Sequence, residues 1–172
     1  TVVCNNGGSG LVGVAALLKS GKARKLIASY PRSSDPQVID DLYARKAIEI
    51  ELVPQGTLSE RMRAAGAGIG GFFTRTGADT KLADGKELRE IDGKLYVFEK
   101  PLPGDFALIK AHRADRWGNL VYRKSARNFN PVMAMAGKTT VAQVDEIAVL
   151  GTLDPDMIMT PSIFVDRVVR TP

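Results

Sequence analysis

Short apolar runs and amphipathic segments alternate over the first sixty residues of the chain. The apolar residues at positions 1–4, 26–30 and 48–52 are typical of short strands. Between these runs, residues 11–19 and 36–43 carry apolar positions at helical spacing. This strand-helix alternation predicts a parallel sheet with right-handed crossovers, whose ligand site lies in the loops at the carboxyl ends of its strands.

Two predicted helices begin at recognisable capping residues. Ser34 or Asp35 can cap the second helix, with Pro36 in its first turn. Thr57 and Glu60 have the spacing of a capping box, in which a hydroxyl and a carboxylate each satisfy a free backbone N–H. We therefore expect a short third helix that starts at Thr57.

The second half of the chain changes character. The Asp92-Gly93 pair between two short apolar runs predicts a tight β-hairpin. Further strands are predicted at residues 106–109, 120–122 and 163–169, and a short helix at residues 131–136. The predicted fold class is therefore α/β, with an open, largely parallel sheet flanked by helices and an added β-hairpin section.

The composition is that of a folded protein. The chain has 172 residues, of which 44% are hydrophobic and 25% charged, so we expect a single domain over residues 1–172. Cys4 is the only cysteine, which favours a reducing compartment, and no apolar run is long enough to span a bilayer. We expect a cytoplasmic protein with no membrane association. The chain opens without methionine on an apolar run, so we expect one or more N-terminal strands to be missing.

A modest excess of positive charge narrows the possible partners. The net charge is +5, from 24 Lys and Arg against 19 Asp and Glu. Residues 110–127 are rich in basic side chains and include Trp117 and Tyr122. No signature of a nucleic-acid-binding fold accompanies them, so we expect no nucleic-acid partner and favour an anionic substrate or a partner surface.

A glycine motif leaves a second class of function open. Gly8, Gly10 and Gly13 follow a predicted strand and open a helix, and Arg32 after the next strand could bind a cofactor 2′-phosphate. This pattern is compatible with an NADP-binding oxidoreductase domain. The same glycines are equally explained by a tight turn and close packing of the helix on the strand.

Common catalytic groups are scarce. His112 is the only histidine, and its place on an apolar strand favours a structural role. We interpret Cys4 as a small buried residue rather than a nucleophile. Glu49 and Glu51 alternate with apolar residues and are interpreted as the solvated or partner-facing side of a strand. If the chain belongs to an enzyme, its nucleophile is expected elsewhere.

Several segments in combination carry a specific resemblance. They are Asn5-Asn6-Gly7-Gly8, Val53-Pro54-Gln55-Gly56-Thr57-Leu58-Ser59-Glu60-Arg61, Ala64-Ala65-Gly66-Ala67-Gly68-Ile69-Gly70-Gly71-Phe72-Phe73-Thr74 and Tyr122-Arg123-Lys124-Ser125-Ala126-Arg127-Asn128-Phe129-Asn130. In this order, the chain resembles the A subunits of family I CoA transferases, the 3-oxoacid group, over essentially its whole length. The resemblance implies the half-fold of that family.

This resemblance also implies a reaction and a partner. The family transfers CoA from succinyl-CoA to a 3-oxoacid, so CoA is a substrate and neither a cofactor nor a metal is implied. The catalytic glutamate belongs to a partner B subunit, and we expect an A2B2 heterotetramer. Asn5, Asn6, Gln55 and Gly56 match positions that complete the substrate and CoA pocket. Neutral amides there bind an oxyanion without blunting the nucleophilicity of the partner's glutamate.

Within the family, residues 29–35 and 110–119 are most similar to 3-oxoadipate CoA-transferases. This implies 3-oxoadipate as the acid and a place in aromatic degradation by the β-ketoadipate pathway, with an acetoacetate-type succinyl-CoA:3-ketoacid transferase as the alternative. Arg32 could hold the distal carboxylate of 3-oxoadipate, or it could form an ion pair with Asp35 or belong to an interface. The sequence lacks the upstream glycine-rich strand-turn of the family.

Overall fold

A computed structural model describes residues 1–170 and divides the chain into two units. The first unit contains residues 1–58 and 73–99, and the second contains residues 59–72 and the chain from Lys100 onward. Within residues 1–170, no helix has both the length and the apolar character needed to cross a membrane.

Three parallel strands form the main sheet of the first unit. Strands β1 (Val2–Val3), β2 (Lys25–Ala28) and β3 (Glu49–Leu52) lie in that order. Helices α1 (Gly13–Lys19) and α2 (Gln37–Ala44) connect them. Apolar side chains of both helices and of the sheet form one core, which includes Leu18, Leu26, Ile39, Leu42 and Ile48. The predicted parallel arrangement of this half is confirmed.

The helix starts differ from the predicted ones. Helix α1 begins at Gly13, two residues after the predicted start, and Leu11 is exposed. Helix α2 has Pro36 at its N-cap and no side-chain cap, so the predicted cap at Ser34 or Asp35 is wrong.

The third helix begins earlier than predicted. Helix α3 spans Gln55–Gly66, so Thr57 lies inside its first turn and is buried rather than capping it. The capping-box prediction is therefore wrong, and the helix starts immediately after Pro54.

A small antiparallel hairpin belongs to a second sheet. Strands β5 (Leu88–Ile91) and β6 (Lys94–Glu99) pair on either side of the Asp92-Gly93 turn, as predicted. Strand β4 (Phe72–Thr74) completes the sheet in the order β4-β6-β5. Asp92 and Gly93 both have positive φ, 50° and 71°, which is the backbone of a tight hairpin turn.

The second unit contains a four-stranded sheet in the order β10-β9-β7-β8. Its strands are β7 (Gly104–Ala114), β8 (Leu120–Val121), β9 (Gly137–Ile147) and β10 (Arg167–Arg170). Strand β9 is parallel to both neighbours, and β8 is antiparallel to β7. Helix α4 (Asn130–Ala136) packs against β7 and β9, as the buried position of Ala134 in the same core shows.

One strand of this unit is not predicted by the sequence, and another is predicted with the wrong start. The sequence pattern does not predict strand β9, and the predicted last strand at residues 163–169 begins too early. A short 3-10 helix (Ser162–Phe164) occupies its first residues, and pairing with β9 starts only at Arg167. The predicted fold class, α/β with largely parallel strands, flanking helices and an added hairpin, is confirmed.

Candidate functional site

The loops that follow β1 and β2 are joined by backbone hydrogen bonds. The Tyr30 amide donates to the Asn5 carbonyl oxygen at 3.1 Å, and the Gly7 amide donates to the Pro31 carbonyl oxygen at 3.0 Å. Because the strands are parallel, both loops leave the sheet at the same edge. The polar residues of this edge are thereby held by main-chain contacts as well as by their own side chains.

Two predicted site residues meet at this edge. Gln55, the first residue of α3, donates a hydrogen bond from Nε2 to Asn5 Oδ1 at 3.0 Å. Ser29 lies directly after β2, and its Oγ donates to the same Asn5 oxygen at 2.5 Å. Asn5 is therefore bonded to the loops that follow β2 and β3, and all three side chains of this network are uncharged.

Asn6 and Gly56 have different local roles. Asn6 Oδ1 accepts a hydrogen bond from the Gly8 amide at 2.9 Å, which is an Asx turn that orders the glycine-rich loop. Gly56 lies in the first turn of α3, and a Cβ added there would meet nothing within 4 Å. Within residues 1–170, neither residue has a side-chain hydrogen bond to Asn5 or Gln55.

The glycines after β1 permit close packing of the chain. A Cβ on Gly7 would lie 2.7 Å from the Pro31 carbonyl oxygen. A Cβ on Gly8 would lie 2.6 Å from the Ala15 amide nitrogen, and Gly8 has a φ of +80°. These contacts match the structural interpretation of the glycine motif, in which the small residues allow the helix to approach the strand.

Arg32 lies apart from the amide network. Its Nη2 forms an ion pair with Asp40 Oδ2 at 2.8 Å, and 69% of the Arg32 side chain is exposed. The sequence offers an ion pair with Asp35 as one alternative, but the observed partner is Asp40 of α2. Across the described part of the chain, Arg32 makes no hydrogen bond to Asn5 or Gln55.

Cys4, the titratable residue directly before Asn5, is poorly suited to act as a nucleophile. The Cys4 thiol donates to the Asn6 carbonyl oxygen at 2.7 Å. Burial raises the pKa of the Cys4 thiol to about 11, against a smaller opposing effect of that hydrogen bond. The thiol is thus protonated at neutral pH, and the thiolate that would act as a nucleophile is scarce.

The other candidates make side-chain contacts between neighbouring strands. His112 Nδ1 lies 3.1 Å from Asp145 Oδ2 in the second unit. In the first unit, Lys25 Nζ lies 2.8 Å from a carboxylate oxygen of each of Glu49 and Glu51. These contacts agree with the structural interpretations of His112 and of the two glutamates.

Ser29 is the site residue that sequence reasoning missed. The sequence carries no signal for it, because Ser29 lies inside the strand predicted at residues 26–30, whereas the observed strand β2 ends at Ala28. A serine at the end of a strand is common, and its partner Asn5 lies 24 residues earlier in the chain. Nothing local indicates that pairing.

Comparison with known proteins decides the family. The family model for coenzyme A transferases matches residues 1–171. The chain belongs to the coenzyme A transferase family. It is 62% identical to the A subunit of 3-oxoadipate CoA-transferase from Pseudomonas putida over 169 residues, which are 98% of this chain and 73% of that protein. The predicted family resemblance is confirmed.

Other relatives are consistent with this assignment. The A subunit of succinyl-CoA:3-ketoacid coenzyme A transferase from Xanthomonas campestris pv. campestris strain B100 is 52% identical, over 98% of this chain and 69% of its own length. An acyl-CoA transferase from Escherichia coli O157:H7, solved as a thioester complex with CoA, superposes with a TM-score of 0.81 at 24% identity. That alignment covers 99% of this chain and 37% of the solved chain, and it shows a shared fold.

Membership of this family favours a CoA transferase over the NADP-binding alternative. The family model matches residues 1–171, which include the glycine-rich loop. Family membership therefore accounts for the motif that was also compatible with a dinucleotide site. The chain is thus one subunit of a CoA transferase. Its relatives are named as A subunits, which implies that its partner is a B subunit.

Proposed function

We propose that this chain is the A subunit of an enzyme that transfers CoA from succinyl-CoA to 3-oxoadipate, with 3-oxoadipyl-CoA and succinate as products. The observation that carries the proposal is the 62% identity to the A subunit of a 3-oxoadipate CoA-transferase over 98% of the chain. A second such protein, from Acinetobacter baylyi, is 56% identical over the same share of the chain. An acetoacetate-type acceptor is the second candidate, favoured by the 52% identical 3-ketoacid transferase.

The proposed reaction runs through covalent steps on the B subunit. A glutamate of that subunit first attacks the succinyl-CoA carbonyl, which releases the CoA thiolate and leaves a mixed anhydride. The thiolate then attacks the glutamyl carbonyl, which releases succinate and leaves a glutamyl-CoA thioester. The carboxylate of the 3-oxoacid repeats the two steps in reverse, so that CoA leaves on the new acid and the glutamate is restored.

The A subunit contributes neutral donors in this scheme. Asn5 and Gln55 are held together by a hydrogen bond at the carboxyl edge of the first sheet. We assign to their amide groups the binding of the acid's oxygens or of the oxyanion that develops during each attack. Asn6 orders the loop next to them, and Gly56 leaves the start of α3 open for substrate.

Assembly and location complete the proposal. We infer pairing with a B subunit that supplies the nucleophile of each active site, and we propose the A2B2 heterotetramer that the family resemblance implies. The single cysteine favours a reducing compartment, and we place the enzyme in the cytoplasm. CoA is then a substrate, and the proposed chemistry uses no separate cofactor.

Reconstitution with the B subunit tests the proposal. The purified chain is mixed with the B subunit, and formation of the 3-oxoacyl-CoA thioester is followed with 3-oxoadipate and with acetoacetate as acceptors. We expect activity only in the mixture, a mass equal to two copies of each subunit, and a higher kcat/KM for 3-oxoadipate. Turnover by the purified chain alone contradicts the proposed division of labour. A preference for acetoacetate supports the second candidate.

A further inference from the structure

Ser29 donates a hydrogen bond to the side chain of Asn5. Its hydroxyl lies 2.5 Å from Asn5 Oδ1 and 3.2 Å from the Asn5 carbonyl oxygen, and Ser29 lies directly after β2. The shorter distance identifies the side-chain oxygen as the main acceptor. Gln55 Nε2 reaches the same oxygen at 3.0 Å, so two donors converge on one carbonyl.

This convergence has a chemical consequence for the Asn5 amide. The oxygen and nitrogen ends of an asparagine side chain have nearly the same shape, so hydrogen-bond partners decide which way the amide points. Two donors from Ser29 and Gln55 use both lone pairs of Oδ1. The carbonyl end is therefore directed at the protein, and the Nδ2 end, with its two N–H donors, is directed away from both partners.

Other hydroxyls near the loop do not share this role. Ser33 Oγ donates to the Gly8 carbonyl oxygen, and Ser9 Oγ donates to Ser33 Oγ at 2.9 Å. These two serines join the same pair of loops, but their hydroxyls bond each other, the Gly8 carbonyl oxygen and Ser34 Oγ, which lies 3.4 Å from Ser9 Oγ, rather than Asn5. Ser29 is thus the serine of these loops whose hydroxyl bonds the Asn5 amide.

We propose that Ser29 is a positioning residue, which keeps the N–H donors of Asn5 directed at the substrate. The proposal rests on the function proposed above, because it gives the Asn5 amide the oxygens of the acid or of its oxyanion as ligands. Without the Ser29 hydroxyl, the Asn5 amide retains one donor, Gln55, and can rotate so that its carbonyl oxygen faces the substrate. An oxygen in that place repels an oxyanion instead of binding it.

A double-mutant cycle on the assembled complex tests whether Ser29 positions Asn5. Ser29→Ala is expected to lower kcat/KM for the 3-oxoacid by about 5–100-fold, the scale expected when a polar group loses its partner. In an Asn5→Ala background the same substitution is expected to change kcat/KM by less than about 2-fold, since Ser29 acts through Asn5. Ser29→Thr, which keeps a hydroxyl, is expected to recover most of the rate.

Ser20→Ala provides a matched control for loss of a serine hydroxyl. Ser20 also lies in the first unit, and its hydroxyl donates to the Leu17 carbonyl oxygen at 2.7 Å at the end of α1. We expect this variant to keep the wild-type rate. Thermal unfolding of all variants separates an altered site from a chain that is simply less stable.

The outcomes distinguish this proposal from the function on which it rests. An equal fall in kcat/KM caused by Ser29→Ala with and without Asn5 overturns the positioning role, as does a wild-type rate for Ser29→Ala. If Asn5→Ala itself keeps the wild-type rate, Asn5 is not in the site and the Ser29 proposal fails with it. Absence of CoA transfer in the wild-type complex instead overturns the proposed function.

Discussion

Gln55 and Asn5 are 50 residues apart in the chain, yet the side-chain nitrogen of Gln55 lies 3.0 Å from the side-chain oxygen of Asn5. The contact joins the loop after the first strand to the start of α3, which follows the third strand. The contact requires that β1 and β3 run in the same direction, and in this sheet both are parallel to β2 between them. The pair therefore links the fold to the proposed chemistry.

Loss of the Gln55 amide is expected to impair catalysis without preventing assembly. We expect Gln55→Ala to lower the rate of the assembled complex by about 10–1000-fold, the effect of removing one oxyanion donor. Gln37→Ala is the matched control, since Gln37 is also the exposed first residue of a helix in the same unit. Steady-state kinetics measure the rate, and size-exclusion chromatography measures assembly of the complex. An unchanged rate in a complete complex would make Gln55 a loop residue.

Asn5→Asp tests the direction of the amide. The aspartate keeps an oxygen that accepts from Ser29 and Gln55, but it replaces the outward N–H donors by a second carboxylate oxygen. We expect normal folding and a rate at least as low as that of Asn5→Ala, because the added negative charge repels the acid substrate. Unfolding temperature and kcat/KM are compared for the two variants. A rate well above that of Asn5→Ala would show that the outward end of Asn5 is not a donor to substrate.

Arg32 is expected to contribute to the choice of acid. If its guanidinium binds the distal carboxylate of 3-oxoadipate, Arg32→Ala weakens discrimination against acetoacetate by about 1.5–3 kcal/mol, as for a charge-assisted hydrogen bond. Arg45→Ala is the matched control, since Arg45 forms a similar exposed ion pair with Asp41 at 2.6 Å.

The measurement for Arg32 is the ratio of kcat/KM values for the two acids. Arg32→Lys should recover only part of the preference, because a point charge cannot reproduce bidentate geometry. Equal losses toward both acids would assign Arg32 to CoA binding or assembly. No change toward either acid would leave Arg32 as a surface residue paired with Asp40.

Gly8→Ala is expected to destabilise the glycine-rich loop for two additive reasons. The positive φ of +80° costs a side chain about 1–2 kcal/mol, and the new Cβ would lie 2.6 Å from the Ala15 nitrogen. Crowding of this kind adds about 1–3 kcal/mol. Gly21→Ala separates the two effects, because Gly21 has a φ of +73° and a Cβ there meets nothing within 4 Å. Urea unfolding should therefore show a larger loss for Gly8→Ala, and equal losses would exclude the packing contribution.

Asp115 is expected to stabilise the second unit above acidic pH. Burial raises the pKa of this carboxyl, but hydrogen bonds from the Asn119 side chain and from neighbouring backbone amides outweigh that effect and leave the pKa below its ordinary value. A carboxyl whose pKa is lower in the folded state stabilises the protein above its unfolded pKa of about 3.9. That stabilisation is lost as the pH falls through the lower pKa of the folded state.

Urea unfolding of Asp115→Asn at pH 7, 5 and 3 measures this contribution. We expect a loss of about 1–3 kcal/mol at pH 7 and 5, because the Asn119 amide loses a charged acceptor, and a smaller loss at pH 3. Asp154→Asn is the control, since Asp154 also accepts a backbone N–H but is exposed. A loss for Asp115→Asn that is the same at all three pH values would contradict the role of its charge.

The sequence sufficed to predict the sheet edge on which the candidate site lies. The first three strands are short apolar runs separated by helical spacing, and a parallel arrangement places their carboxyl ends together. Asn5 and Gln55 follow two of these strands, so their proximity could be inferred from topology. The pairing of Ser29 with Asn5 could not, because it depends on how two loops fold back on each other.

Strand β9 shows why other elements escaped sequence reasoning. Buried Ala142 and Val144 alternate with exposed Gln143 and Asp145, which is the period of a half-buried strand, but the segment has no continuous apolar run. Pairing with strands on both sides completes this strand, and that pairing is not a local property of the sequence. Helix α3 likewise starts at Gln55, two residues before its capping motif, and Thr57 is buried in its first turn.

The ion pairs of Lys25 lie at the β3 edge of the first sheet. Strand β3 is an edge of that sheet, and it carries Glu49 and Glu51, which share the single ammonium group of Lys25. These ion pairs place charged side chains along this edge. An exposed strand edge can pair with the edge of another molecule and start aggregation, and charged side chains oppose such pairing. Glu49 and Glu51 thus place on β3 the kind of side chain that disfavours the joining of two chains edge to edge.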